Sequence, residues 1–347
     1  MSPSEPLKPA KRRGLVTRLA HHVMNEINRV TAVTPGAMTA MVLLSHSQRG
    51  LSHEVAIHRV NALHTILRRM GVRVVEAMAT PAGTLRASAI REALQLFADG
   101  ELIEIHPTIE SDLAREQRRH RRFEAGPGTF YVIPDGKRLA LDTSKNIVIH
   151  FLVPHALFAL SWLAGTGSEN SADSVRERFF ELRRLFAHEF RLGSEAEGVE
   201  AFEGLLREFS ALGLVSGNGK NLLLGAPFND VSATEWFMLL AEILANYIEG
   251  YRVAARALAF VIEQPLGVKD FYKRALTTGN RMFYSGEILR RESITKPILQ
   301  NALLAFADQR FVDLHNERVS LVDSNATQTA IDALEAKLSR FLKGVRL

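Results

Sequence analysis

Imidazole is the commonest general base near neutral pH, so the twelve histidines are the first residues to test for chemistry. His53, Glu54 and His58 have the composition of a zinc-protease helix. That site needs its histidines at i and i+4 on one face, and here they stand at i and i+5. His21 and His22 are adjacent; side chains of helical neighbours diverge by about 100°, too far to clamp one ion, so they read as solvated or partly buried helix histidines. His150 and His155 flank Pro154 in the most apolar run of the chain and read as hydrogen-bonded core histidines. Cysteine is absent, which removes disulfides, thiolate metal sites and cysteine nucleophiles and accords with a reducing compartment. No nucleophile elbow G-x-S-x-G, no P-loop and no G-x-G-x-x-G occurs, and GTGSEN at 165–170 follows a helical pattern and reads as a loop. No catalytic residue, metal or cofactor is assigned.

The strongest charge feature is REQRRHRR at 115–122. Arg115, Arg118, Arg119, Arg121 and Arg122 form a candidate anion-binding patch, with a solvated helix or loop face as the alternative. The chain carries a net charge of +5 and a pI near 9.5, which favours anionic partners: nucleic acid, acidic lipid headgroups or an acidic carrier protein.

The elements that would position such residues are mostly helices. Apolar stripes at three-four spacing run through 15–33, 36–47, 52–70, 86–99, 151–164, 172–191, 200–212, 232–262, 268–284, 296–309 and 325–343. Thr34 and Pro35 supply a cap and a first-turn proline for a buried helix VTPGAMTAMVLL. A pattern recurs in IREALQLFADGELIEI (90–105), FEGLLREFSALGLVS (202–216) and LQNALLAFADQRFVDLHNERVSLVD (299–323): amphipathic helix, turn, then alternating β-like residues. The expected fold is therefore mainly α, a helical bundle-like body with winged-helix-like units of helix plus small β-hairpin. GTFYVIPDGKRLALD reads as a further hairpin turned at PDG. IVIHFLVPHALFALSWLA at 147–164 is interrupted by His150, Pro154 and His155 and reads as a buried core segment, because a membrane-spanning helix needs about 20 nearly uninterrupted apolar residues. The small polar stretch 165–174 marks a boundary. The expected organisation is a flexible basic leader over 1–14, an N-terminal helical part over 15–164 with a hairpin insertion, and a C-terminal helical part over 175–347.

INRVTAVTPGAMTAMVLL (27–44), RGLS (49–52), KNIVIHFLVPHAL (145–157), IEGYRVAARAL (248–258) and GEILRRESITKPILQNAL (286–303) resemble the region downstream of the acyltransferase domain in membrane-bound glycerol-3-phosphate and dihydroxyacetone-phosphate acyltransferases. The resemblance runs from about residue 15 to about residue 320. It implies acyl transfer from acyl-CoA or acyl carrier protein to the first hydroxyl of glycerol 3-phosphate, in phospholipid synthesis. The family's chemistry rests on an HxxxxD motif whose histidine is the base and whose aspartate orients it. No histidine in this sequence has aspartate five residues on; His21 with Glu26 is the nearest approach. The family's glycine-rich phosphate block of the type E-G-T-R-S is represented only by an echo, PAGTLRAS at 81–88.

The resemblance thus implies the non-catalytic C-terminal part of such an enzyme, a fragment or an accessory chain that docks on an acyltransferase catalytic domain or chain. Acyl carrier protein and an anionic membrane surface are further candidate partners, with a cytoplasmic location, peripheral on the inner face of the membrane. A tandem winged-helix nucleic-acid-binding protein is the alternative, ranked lower because IREALQLFADG and LQNALLAFADQ carry few of the Arg, Lys, Asn or Gln residues that read a groove. Autonomous acyl transfer through a divergent base ranks last.

Overall fold

The computed structural model describes residues 9–46, 50–106, 128–165, 170–217, 222–228, 231–322 and 326–345. Helix dominates, as the three-four spacing indicates. The N-terminal unit runs α2 (Pro35–Ser45), β1 (Gly50–Ser52), α3 (His53–Arg69), α4 (Ala87–Asp99), β2 (Glu104–His106) and β3 (Phe130–Val132), preceded by α1 (Pro9–Val30). Its three strands form an antiparallel sheet in the order β1-β3-β2, with Tyr131 facing both Leu51 and Ile105 across the ladders.

Next come α5 (Arg138–Asn146), α6 (Ile149–Leu163), α7 (Ala172–Leu185), α8 (Glu195–Ala211) and the two-stranded pair β4 (Val215–Gly217) and β5 (Leu222–Leu224). The last unit is α9 (Ala233–Ala257), β6 (Leu266–Gly267), α10 (Val268–Tyr284), α11 (Lys296–Asp308), β7 (Val312–His315) and β8 (Arg318–Leu321), followed by α12 (Gln328–Arg340). Its sheet order, β6-β8-β7, repeats that of the first unit. All three helix-plus-β patterns read from the sequence are therefore present, and two carry the full winged-helix order of helix, strand, two helices and hairpin. The β7–β8 hairpin pairs His315 with Arg318, so Asn316 and Glu317 form a two-residue turn, both with positive φ.

Local chemistry sets the helix starts. Thr34 Oγ1 accepts from Ala37 N at 3.2 Å with Pro35 in the first turn, as the sequence implies. Ser194 with Glu197 and Ser232 with Glu235 form reciprocal capping boxes. The first of these starts α8 five residues before the apolar stripe that announced it. α1 begins at Pro9, so residues 9–14, expected as part of a flexible leader, are helical.

The hairpin expected at PDG is corrected: β3 ends at Val132, residues 135–137 make a 3-10 turn, and 138–146 are helix. RLALD mimics strand alternation. Arg138, Leu141, Asp142 and Lys145, however, recur at helical spacing and together face α2 and α9.

The core is built on α6 and α9, which pack along each other. Phe158, Trp162 and Phe237 stack there with Phe202 and Phe209 of α8, ring centroids 5.0–6.4 Å apart. The apolar run 147–164 thus lies in the core as read. Among the described residues no single helix is long and apolar enough to cross a membrane; α5 and α6 would pass that test only as a pair bent by 101°.

Candidate functional site: a buried ionic seam along the central helix

α9 is buried on nearly all sides, against α6, α10, α11 and α12, with α2 also in contact. A helix so placed should be apolar all round. Instead Glu242, Asn246, Glu249, Arg252 and Arg256, at intervals of four and three, lay a polar stripe down one face. Each finds partners distant in sequence.

Glu242 Oε2 accepts from Arg59 Nη1 of α3 at 2.6 Å. Burial raises its pKa, and the Arg59 charge only partly offsets that. Asn246 Oδ1 accepts from Lys145 Nζ at 3.2 Å, and Lys145 is paired with Asp142 at 2.7 Å. Glu249, with no exposed surface, is fully engaged: Oε2 accepts from Leu289 N (3.1 Å), Arg290 N (2.8 Å) and Ser293 Oγ (3.2 Å), and Oε1 from Arg290 Nη1 (3.1 Å). Arg252 donates to Glu287 O at 2.9 Å and to Glu335 Oε1 of α12 at 3.0 Å. Arg256 forks onto Glu335 and also reaches Glu287 Oε2 at 2.9 Å. Beside them Arg138 grips Glu292 bidentately. Burial pushes the Glu292 carboxyl up, but the hydrogen bond and charge of Arg138 outweigh it and hold the group below the usual carboxylate range.

Two of these guanidinium groups also finish α2. Its last carbonyls have no intrahelical donors; Leu44 O accepts from Arg138 Nη2 at 3.3 Å and Ser45 O from Arg290 Nη2 at 3.1 Å. Gly250 permits the close approach of the 290–293 turn, since a Cβ there would lie 2.7 Å from Ser293 O and 2.4 Å from Ile298 Cγ2. Next to this end of α2, His46 is held down to about 4 by burial first, then by Arg59, with a smaller push from Arg290, so it is neutral at physiological pH.

Six cations (Arg59, Arg138, Lys145, Arg252, Arg256, Arg290) thus meet six carboxylates (Asp142, Glu242, Glu249, Glu287, Glu292, Glu335). The seam is balanced in charge and buried over most of its length, with Arg256 and Glu287 partly open to solvent at one end, and the lone pairs of Glu249 are spent on donors. Its physical effect is positional. It pins α2, α3, α5, the 287–293 loop and α12 to one helix, because breaking any buried pair leaves an uncompensated charge. Four of the five segments that carry the family resemblance, 27–44, 145–157, 248–258 and 286–303, pack on or supply groups to this seam; residues 50–52 of the fifth form β1 and pair with β3 instead.

Other candidates are placed elsewhere. His155 Nε2 lies 3.1 Å from Glu208 Oε2, and His150 Nε2 lies 3.2 Å from Asn28 O, so both are the hydrogen-bonded histidines expected. His53 Nδ1 is 2.8 Å from Tyr131 Oη at the start of α3. Arg115, Arg118, Arg119, Arg121 and Arg122 lie outside the described residues, as do 166–169 of the loop GTGSEN.

The third helices of the three units do not have the chemistry of groove readers. α4 carries one arginine, Arg91, against Glu92 and Asp99. α8 carries five glutamates and one arginine. α11 packs against α7, α9 and α10 with Lys296 as its one cation.

The seam itself escapes sequence reading, because partners such as Arg59 and Glu242 stand 183 residues apart. One signal was available: polar residues at intervals of four and three inside an otherwise apolar helix.

Comparison with known proteins adds to this geometry. A family model described as "Glycerol-3-phosphate acyltransferase C-terminal region" matches residues 2–315. Proteins of Mycobacterium bovis and Mycobacterium tuberculosis that carry the name of an acyltransferase, plsB1, are 24% identical over 337 residues, 94% of this chain and 50% of theirs. The chain spans about half the length of these curated relatives. With the family model covering most of its length, the chain belongs to the glycerol-3-phosphate acyltransferase C-terminal region family.

Proposed function

We propose that this chain is the non-catalytic part of a glycerol-3-phosphate 1-O-acyltransferase, holding a docking surface for a catalytic half that carries the HxxxxD histidine and aspartate. One observation carries the reading: no histidine of the sequence has an aspartate five residues on, within a chain matched by the family model over residues 2–315. In the reaction proposed for the assembly, the catalytic half's histidine takes the proton of the first hydroxyl of glycerol 3-phosphate. That oxygen attacks the thioester carbonyl of acyl-CoA or acyl carrier protein, and the thiol leaves. This chain supplies rigidity and surface, with acyl carrier protein a candidate for its basic surface. Co-expression with an acyltransferase-domain chain tests the proposal: a stable complex whose activity requires both chains is expected, and two chains that never associate would refute it.

Attachment to the inner face of the membrane is proposed as peripheral, through α1. Leu15, Val16, Leu19, Val23, Met24, Ile27 and Val30 are all exposed on this helix, and Lys11, Arg12, Arg18 and Arg29 are exposed with them. An apolar face flanked by cations is the composition of an interfacial helix on anionic lipid. Replacing Leu19 and Ile27 by serine is expected to abolish flotation with anionic vesicles while leaving the melting temperature unchanged, since neither side chain is packed. Undiminished flotation of that variant would remove α1 from the interface.

A further inference from the structure

α10 buries one side only. Phe271, Ala275, Gly279 and Met282 face the body. The helix lies flush on α9 because Gly279 has no side chain: a Cβ there would stand 2.8 Å from Ile294 Cγ2 and 3.1 Å from Val253 Cγ1. At 100° per residue the opposite face, an arc of about 140°, gathers Lys269, Lys273, Arg274, Thr277, Arg281 and Tyr284, all of them exposed. From Lys269 to Arg281 it runs about 18 Å along the helix. Asp270 is the one carboxylate of α10.

Stability does not account for this face. Lys269 stands in the first turn, where the helix dipole disfavours a cation, and Lys269 with Lys273 makes a like-charge pair at i and i+4. The seam matches each of its cations with a carboxylate, whereas among the described residues no ion pair holds Lys269, Lys273, Arg274 or Arg281. Aromatic rings order the two ends instead. Arg274 lies over the Phe260 ring, 5.1 Å from its centroid. Arg291 lies over the Phe283 ring at 5.7 Å, with Nη1 3.5 Å from Tyr284 Oη. Tyr284 is 75% exposed, more than any other large apolar or aromatic side chain among the described residues.

We propose that this face of α10 docks an acidic helix of a partner protein. Carboxylates at i and i+4 of a helix laid along it are separated by a rise of about 6 Å, the same rise that separates Lys269 from Lys273, and Arg281 meets a third two turns further on. Tyrosine and arginine are the residue types that anchor protein interfaces, and Tyr284 with Arg291 places both at the C-terminal end of the stripe. A lipid surface fits less well, because an interfacial helix inserts apolar side chains and those of α10 are turned into the core. A nucleic-acid duplex would draw on the third helix and the hairpin of the unit as well, and there α11 has Lys296 as its one cation while the hairpin carries Asp313 and Glu317. The proposal does not depend on the acyltransferase reading.

The test is fluorescence anisotropy of the full chain with a labelled, stapled helical peptide carrying glutamates at intervals of four and leucines beside them. The same peptide with glutamine for each glutamate is the control. Saturable one-to-one binding of the acidic peptide is expected, weakening as salt rises. It should weaken about tenfold or more in Lys273→Glu/Arg281→Glu and severalfold in Tyr284→Ala. Arg73→Glu/Arg91→Glu removes as much charge from exposed positions of the N-terminal unit and should leave affinity within about twofold. Tyr284→Ala keeps the test open should the charge reversals disturb folding. No saturable binding of the acidic peptide would overturn the proposal. So would equal binding of the glutamine peptide, or equal losses in the α10 and N-terminal double variants. Binding of anionic vesicles or duplex DNA that falls in Lys273→Glu/Arg281→Glu while peptide binding does not would give the face to lipid or nucleic acid, and overturn it.

Discussion

Removing Glu249 is the perturbation that asks most directly whether the seam holds the fold together. In Glu249→Ala, Arg290, which is 2% exposed, loses its carboxylate, and Leu289 N, Arg290 N and Ser293 Oγ lose their acceptor. Breaking a buried ion pair costs about 3–5 kcal/mol, and each further unmatched buried donor about 1–3 kcal/mol, contributions that overlap because the same group is lost. A destabilisation of at least about 4 kcal/mol is expected. In Glu249→Leu/Arg290→Met both charges go, and the largest part of the penalty, a naked guanidinium in the interior, goes with them. The double variant is then expected to fall short of the summed single costs by about 2–3 kcal/mol. It does not return to zero, because Ser45 O and the two amides remain unmatched. Urea unfolding read by fluorescence suits the test, since both tryptophans, Trp162 and Trp236, lie in the core. Single variants that cost under about 1 kcal/mol each and add without coupling, as exposed pairs do, would refute the reasoning.

Other expectations follow from the same packing. Burial pushes the Glu189 carboxyl up to about 7 from its ordinary 4.5, although Asn301 Nδ2 donates to it at 2.9 Å. Between those two values the folded chain binds more protons at this group than the unfolded chain, so stability is full below the lower value. It declines by about 3 kcal/mol as pH rises through 7. Glu189→Gln should lose this slope, melting higher than the parent at pH 8 and alike at pH 4; parallel profiles would contradict it. Gly250→Ala drives a methyl into Ile298 and Ser293 O and should cost about 1–3 kcal/mol. Gly204→Ala, inside α8 with nothing within 4 Å of the new Cβ, should stabilise by about 0.5–1 kcal/mol. Chemical denaturation of both variants checks this opposition of sign.

Much of the architecture was legible because it is local. Apolar stripes gave helices close to α2, α3, α4, α10 and α11, and Thr34 with Pro35 marked a start that the backbone obeys. Ends were less legible. Helical spacing continues past Leu185 to 191, but α7 stops there, and the 232–262 stripe breaks into a 3-10 turn after Ala257. The stretch 134–142 reads as strand because Leu139 and Leu141 alternate, but it folds as a 3-10 turn and the start of α5. What decides it is burial of Asp142 and Lys145 against α9, a helix about a hundred residues away. The seam belongs to the same class of information. Each of its residues looks like a stray charge in the sequence, and only the fold shows that Arg138 meets Glu292 and Arg252 meets Glu335.

The proposal above places the base and its orienting aspartate on polypeptide outside these 347 residues, and acyl transfer by the purified chain tests this most directly. With acyl-CoA or acyl-acyl carrier protein and glycerol 3-phosphate, the chain alone is expected to give no lysophosphatidic acid above the uncatalysed rate, and product should appear when an HxxxxD-bearing acyltransferase chain is added. Turnover by the homogeneous chain alone would contradict the account.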